Sequence, residues 1–260
     1  MRRATCRSVL WFLCLAAAGC QKQSAENLAP AASALAPAKP AAPKAVTLEI
    51  DRASSQVKFL MEAAIEKISG EAPASIEGQL FVDLEDISKS TGLVKVDLEQ
   101  LTLYQEQRKD EKQAFGEKKK NDLQNQHART WLEISADAPD DVRKANRFAE
   151  FKITRLENAS KTNLTAPGEH RLTATVVGDF RLHGRKSEKR ADVAITLENG
   201  ADKLDSLSVK TTAPLTIGLE EFDVRPREAF GKLAQKTLDA LGSKVAKQAP
   251  LELSFTARAK

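Results

Sequence analysis

Three thiols and three imidazoles are the side chains of this 260-residue chain best suited to nucleophilic or metal chemistry. The thiols are Cys6, Cys14 and Cys20, and the imidazoles are His127, His170 and His183. The imidazoles are far apart in the sequence and lack the spacing that sets two ligands on one helix face or across one turn. There is no HExxH, no CxxC, no GxGxxG and no P-loop, and no serine stands in a nucleophile elbow. Asp and Glu are abundant, but spacing singles out no pair. The expectation is a protein that is not an enzyme, with no metal site and no resident cofactor. Arg225 and Arg227 flank Pro226 in a stretch with loop character. Paired guanidiniums suit a phosphate head group, although solvated loop cations are the simpler reading of the same residues.

Cys20 has a chemistry of its own, set by what precedes it. Arg2, Arg3 and Arg7 form a positive leader, and residues 9–15 (VLWFLCL) form an apolar stretch too short to span a bilayer. Ala16-Ala17-Ala18-Gly19-Cys20 follows and resembles the lipobox of bacterial lipoproteins, with Ala17 where Leu is usual. That resemblance implies cleavage before Cys20, acylation of its thiol, and a stable membrane anchor, because each buried CH₂ contributes roughly 0.8 kcal/mol. Cleavage also removes Cys6 and Cys14 and leaves no free thiol for catalysis or a disulfide. Gln21 is not the Asp that retains many lipoproteins at the inner membrane, so by analogy the expected address is the periplasmic face of the outer membrane. The formal charge of +4 falls to +1 without the three leading arginines, and aromatics are only 5%. Nucleic acid is therefore excluded as an expected partner.

The organisation expected is a signal peptide over residues 1–19, a lipidated Cys with an Ala/Pro-rich tether over 20–45, and a folded domain over 46–260. The tether has Pro30, Pro37, Pro40 and Pro43 and no apolar period, so it reads as an extended spacer with nothing to bury. From Val46 the chain alternates with the period of two that marks strands with one dry face. Residues 169–184 (EHRLTATVVGDFRLHG) set Leu172, Ala174, Val176, Phe180 and Leu182 on one side. Residues 185–198 resume the pattern through Ala191, Val193, Ile195 and Leu197, so the two read as a long hairpin. Residues 46–51, 55–62, 75–83, 92–100, 148–159, 204–219 and 251–257 give further strands, the last suited to pair with an early one. Leu123, His127, Trp131 and Ile134 have helical spacing on one face. Phe230, Leu233, Leu238, Leu241 and Val245 stripe a second helix over residues 228–247. The Lys118–Lys120 run reads as a solvated face. The sum is an all-β fold of about eight antiparallel strands with one or two helices, and the pattern fits a barrel or a sandwich.

Several of these pieces are similar, and in the same order, to those of the YceI-like family of lipocalin-like, polyisoprenoid-binding periplasmic proteins. VVGDFRLHG resembles its "G-x-L-T-L-H-G" hairpin, IEGQLFVDLED its "G-x-L-x-L-D" strand, and VTLEIDRASSQVKF its opening strands. Asn125-Gln126-His127 stands where the family has "R-D-x-H-L", AEFKITRLE resembles "A-T-F-x-S-T-x-V", and EEFDV resembles "S-D-F-G-I". The family's "F-F-D…Y-P" segment is replaced by TWLEISADAPDD, and Val224 replaces the Gly of "D-F-G". Residues 105–121 and 222–247 are enlarged. The resemblance implies an antiparallel lipocalin-like β-barrel and, as partner, an amphiphilic isoprenoid-like lipid such as a polyisoprenoid or an isoprenoid quinone. The dry phase supplies the expected wall, part of it simply core: Leu48, Ile50, Val57, Phe59, Leu80, Val82, Val94, Val96, Val176, Phe180, Val193, Ile195, Val209, Leu253 and Phe255. His127, Arg225 and Arg227 are candidates for the head group. The competing expectation is a filled barrel that binds no lipid and offers its inserted loops to an envelope protein partner or to a second copy as a dimer.

Overall fold

In the computed structural model, which describes residues 28–200, 204–225 and 247–259, the alternating stretches become strands of one antiparallel sheet. In chain order these are β1 (Val46–Glu62), β2 (Glu66–Pro73), β3 (Ile76–Val82), β4 (Thr91–Asp97), β5 (Thr102–Gln107) and β6 (Lys119–Lys120). Then come β7 (Phe148–Glu157), β8 (Gly168–Leu182), β9 (Arg185–Asn199), β10 (Leu204–Thr211), β11 (Leu215–Gly218) and β12 (Gln248–Ala259). Helices α1 (Asp122–Trp131) and α2 (Asp140–Asn146) stand between β6 and β7. Eight strands form a ring in the order β1-β3-β4-β7-β8-β9-β10-β12. The ring closes because β12 returns to β1, pairing Ala259 with Leu48 and Leu251 with Phe59. That ladder makes the sheet a barrel and not a sandwich.

The long hairpin is the wall's most regular part. β8 and β9 stay in register from Gly168↔Asn199 to Leu182↔Arg185. Their turn is two residues with positive φ, His183 (48°) and Gly184 (69°), which matches the twist of the flanking strands. Gly178 sits where a side chain has no room, since a Cβ would lie 2.2 Å from the Lys152 carbonyl of β7.

Elsewhere the chain departs from its own pattern. Residues 46–51 and 55–62 are one strand, not two, with a bulge between Asp51 and Gln56. β1 is long enough to hold β3 along Val46–Glu49 and β2 along residues 56–62. β2 and β5 carry almost no apolar alternation and pair with each other, extending the wall beyond the ring. Two exposed lysines of the basic run, Lys119 and Lys120, form β6 on the edge of β5. The helix expected from the 123–134 spacing ends at Trp131, and Leu123 is exposed while Ile134 is buried beyond the helix end. The second expected helix, over 228–247, lies outside the described residues but for Lys247.

The two barrel ends differ. At one, the segments 83–90 and 158–167 cross over the strands. Ile87 N donates to Thr162 O, Leu164 N donates to Leu84 O, and the Asn199 amide donates to the carbonyls of Leu164, Thr165 and Ala166. Leu48, Leu164, Leu197 and Leu204 are completely buried there. The other end carries the β1–β2 and β8–β9 turns, the start of β12, and α1. Residues 28–45 are not a free spacer: they lie along the outer wall, with Ala29 buried and Ala31 bridged to Arg185.

Candidate functional site

Along the barrel axis lies a cavity of about 730 Å³. Its side walls come from the inward phase of the strands, so a period-two pattern in sequence becomes a continuous apolar surface in space. Of the residues expected in the wall, Phe59, Leu80, Val82, Val94, Val96, Val176, Phe180, Val193 and Ile195 line this cavity. Val57, Val209, Leu253 and Phe255 join them. Leu48 and Ile50 belong to the same phase but do not line the cavity; they pack into the core at the crossed end. Ile87 lines the cavity's base, and Phe180 meets Phe222 edge-on at 5.2 Å. The Phe59 ring covers Gly70, where even a Cβ would lie 2.1 Å from the ring.

The cavity reaches the surface where Glu62, Ala63 and Glu66 line it, at the β1–β2 turn. This is the mouth. Helix α1 crosses it. The Asn121 side chain caps the helix by accepting from Gln124 N. Asn125 Oδ1 accepts from Leu103 N and its Nδ2 donates to Leu103 O, which ties the helix to the edge of β5. Beyond the helix, the Glu133 carboxylate meets His183 Nε2 at 2.7 Å at the β8–β9 turn, and His183 Nδ1 is 3.1 Å from Phe222 O. Between these two fastenings, Gln124, His127, Thr130 and Trp131 face the cavity. His127 stacks on Trp131 at 5.9 Å with the rings 9° from parallel. Sequence spacing set Trp131 on the same helix face as His127 without assigning it to the site, and the rim residues Met61, Leu219 and Val224 were not singled out.

Arg225 follows Val224 at the rim without lining the cavity, and its Nε is 2.8 Å from Asp223 Oδ1. Arg227 and Cys20 lie outside the described residues. His170 is far from the mouth, with its ring between Lys161 Nζ and the Ala166 carbonyl, both at 2.7 Å.

The polar groups that brace the mouth are paired. Burial alone would raise the Asp97 carboxyl. The Arg147 guanidinium grips it through Nε to Oδ1 (3.1 Å) and Nη2 to Oδ2 (2.7 Å), and with the Glu99 N–H holds it below its ordinary value of 3.8. This clamp joins the end of β4 to the start of β7. Glu221 is likewise raised by burial and more than offset by Lys189 and Ser187, which hold it below 4.5. Among the described residues no cluster of His, Cys, Asp and Glu could hold a metal ion. What the site can do chemically is take an apolar body into the barrel and leave a polar end among Gln124, His127 and Thr130.

Residues 48–257 match the family model of the YceI-like domain. No curated protein matches the chain. Among solved structures, a polyisoprenoid binding domain from Saccharophagus degradans implicated in plant cell wall breakdown is 14% identical. The TM-score is 0.48, over 83% of this chain and 99% of that one. Burkholderia cenocepacia BcnA is 15% identical, with a TM-score of 0.44 over 81% of this chain and 99% of that one.

Proposed function

The chain belongs to the YceI-like domain family, and from that premise we propose that it is a lipid-anchored periplasmic protein whose barrel holds an amphiphilic, isoprenoid-type lipid. The observation that carries the reading is the cavity of about 730 Å³ bounded by apolar side chains. At ~30 Å³ each, on the order of two dozen waters would be needed to fill it, with few partners for their hydrogen bonds. A slender chain of isoprene units replaces that water and is stabilised by roughly 25 cal/mol per Å² of apolar surface buried. The volume is in the usual range for ligand sites, ~300–1,000 Å³. The head of such a lipid stays at the mouth, among Gln124, His127 and Thr130, with Arg225 at the neighbouring rim, and Arg227 two residues on in the sequence, as the cations for an anionic group. Acylated Cys20 holds the protein at the outer membrane. The barrel acts as a binding protein and not as an enzyme.

The test is native mass spectrometry of the full mature chain extracted from a bacterial envelope, followed by organic extraction and lipid analysis. The expected result is one polyprenyl or quinone molecule per chain. A ligand-free mass that stays unchanged after incubation with such lipids overturns the reading, and turns the search to protein partners of residues 105–121.

A further inference from the structure

We propose that the barrel rests mouth-down on the bilayer that carries its anchor, with the tips of the β1–β2 turn and of α1 in the lipid head groups. The inference rests on the anchor reading for Cys20 and goes beyond it, because it assigns an orientation and a contact surface.

The first observation is the course of residues 29–39. Ala29 N donates to Glu221 O (2.8 Å), and Arg185 Nη1 donates to Ala29 O (2.9 Å). Ala32 N donates to Gly184 O (2.7 Å), and the buried Arg181 donates through Nε to Ala32 O (3.1 Å). Further along, Leu35 N donates to Glu150 Oε2 (2.8 Å), and Thr91 Oγ1 donates to Lys39 O (2.7 Å). The contacts start at the β8–β9 turn, which is at the mouth, and proceed along the outer wall to the start of β4, towards the crossed end. The strap is therefore fastened along its length, and the chain enters the barrel at the mouth rim.

The second observation is length. A tether that was free from Cys20 to Ala45 would reach about 85 Å, which would allow any orientation. With the strap fastened from Ala29, only residues 21–28 remain, and these span at most ~30 Å. The wall strand β8 is 15 residues long, about 50 Å, or roughly 35–40 Å along the axis once strand tilt is allowed for. Eight residues leaving the rim cannot bring the crossed end onto the membrane.

The third observation is independent of the anchor. Among the described residues the exposed large hydrophobic side chains are Leu60 (44%), Ile65 (54%) and Leu123 (58%). All three stand at the mouth, on β1, on the β1–β2 turn and on the first turn of α1. The turn that carries Ile65 is held by Arg108, whose N–H donates to Ile65 O and whose Nε donates to Ala64 O. Apolar tips around an apolar opening fit the interfacial layer of a bilayer. An insoluble ligand can then pass between bilayer and barrel without crossing water.

The test uses the full acylated protein in phosphatidylethanolamine/phosphatidylglycerol vesicles, with a fluorophore at Ile65→Cys, Leu123→Cys or, at the crossed end, Asp205→Cys. Brominated lipids are expected to quench the first two labels at least twofold and to leave the third unchanged. A 20-residue Gly/Ser insert after Leu28 is expected to reduce rim quenching, whereas the same insert after Ala41, beyond the strap, leaves it as in the parent. Equal effects of the two inserts, or quenching at residue 205, overturn the proposal. Intact mass separates the two readings: an unacylated Cys20 overturns the anchor and the orientation with it, while acylated protein with an unquenched rim overturns the orientation alone.

Discussion

The crossed end and the mouth of the barrel are built from the same alternating strands, yet they solve opposite problems. At the crossed end the inward phase has nothing to enclose, so Leu48, Leu197 and Leu204, with Leu164 of the crossing segment, pack to zero exposure and Asn199 satisfies three loop carbonyls. A few residues further along the same strands, Val94, Phe180 and Val193 are buried from bulk water but face a void. Burial alone does not distinguish core from binding wall; what differs is whether the opposite side of the space is filled. The end that lacks a floor of large side chains is bridged instead by α1 and braced by ion pairs.

The comparison can be broken most severely at the crossed end. Leu197→Ala is expected to lose about 3–5 kcal/mol of unfolding free energy, because a completely buried leucine leaves a cavity that rigid strands cannot close. Urea denaturation followed by circular dichroism measures it. Asp97→Asn should cost less, about 1–3 kcal/mol, by breaking the Arg147 clamp at the mouth end. It also carries a pH signature. Because the folded Asp97 carboxyl is held below its unfolded 3.8, the clamp stabilises fully above that value, and its contribution is lost as pH falls through the lower folded value. The parent should therefore lose stability below about pH 4 more steeply than the variant, in denaturation curves collected from pH 5 to pH 2.

Substitutions in the cavity wall sharpen the contrast, since they should move binding more than folding. Phe59→Ala removes a half-buried ring, so we expect at most about 2 kcal/mol of stability but about a tenfold loss of affinity for a bound lipid, ~1.4 kcal/mol. Val94→Phe adds volume to the void: affinity should fall by a similar factor, with stability within about 1 kcal/mol of the parent. If Val94→Phe destabilises as Leu197→Ala does, the void is filled in solution and the two ends are alike. His127→Leu should have the smallest effect, a few-fold change in affinity at unchanged stability. Trp131, on which His127 stacks, reports all three variants by its fluorescence.

The sequence alone determined the wall. A period of two fixes which face of a strand is dry, whatever that strand pairs with, and so Leu80, Val82, Val176, Phe180, Val193 and Ile195 could be assigned to the interior in advance. The β8–β9 hairpin was legible for the same reason, since its pairing is local and its turn contains the glycine it needs. Ring closure, the merging of residues 46–62 into one bulged strand, and the β2–β5 extension were decided only by the tertiary structure. These depend on which edges meet across long sequence separations, and β2 and β5 offer few apolar residues to read in advance, among them Ile68, Ala72 and Leu103. The same holds for residues 28–45: a stretch of Ala and Pro has no periodicity to read, and its place is set by partners on the barrel, among them Glu150, Arg181 and Glu221. Above all, alternation says that a side chain points inward, but not whether another side chain fills the space it points into. Volume is a property of the closed ring, and so the division between the packed leucines of one end and the cavity leading to the other existed only once the strands had met.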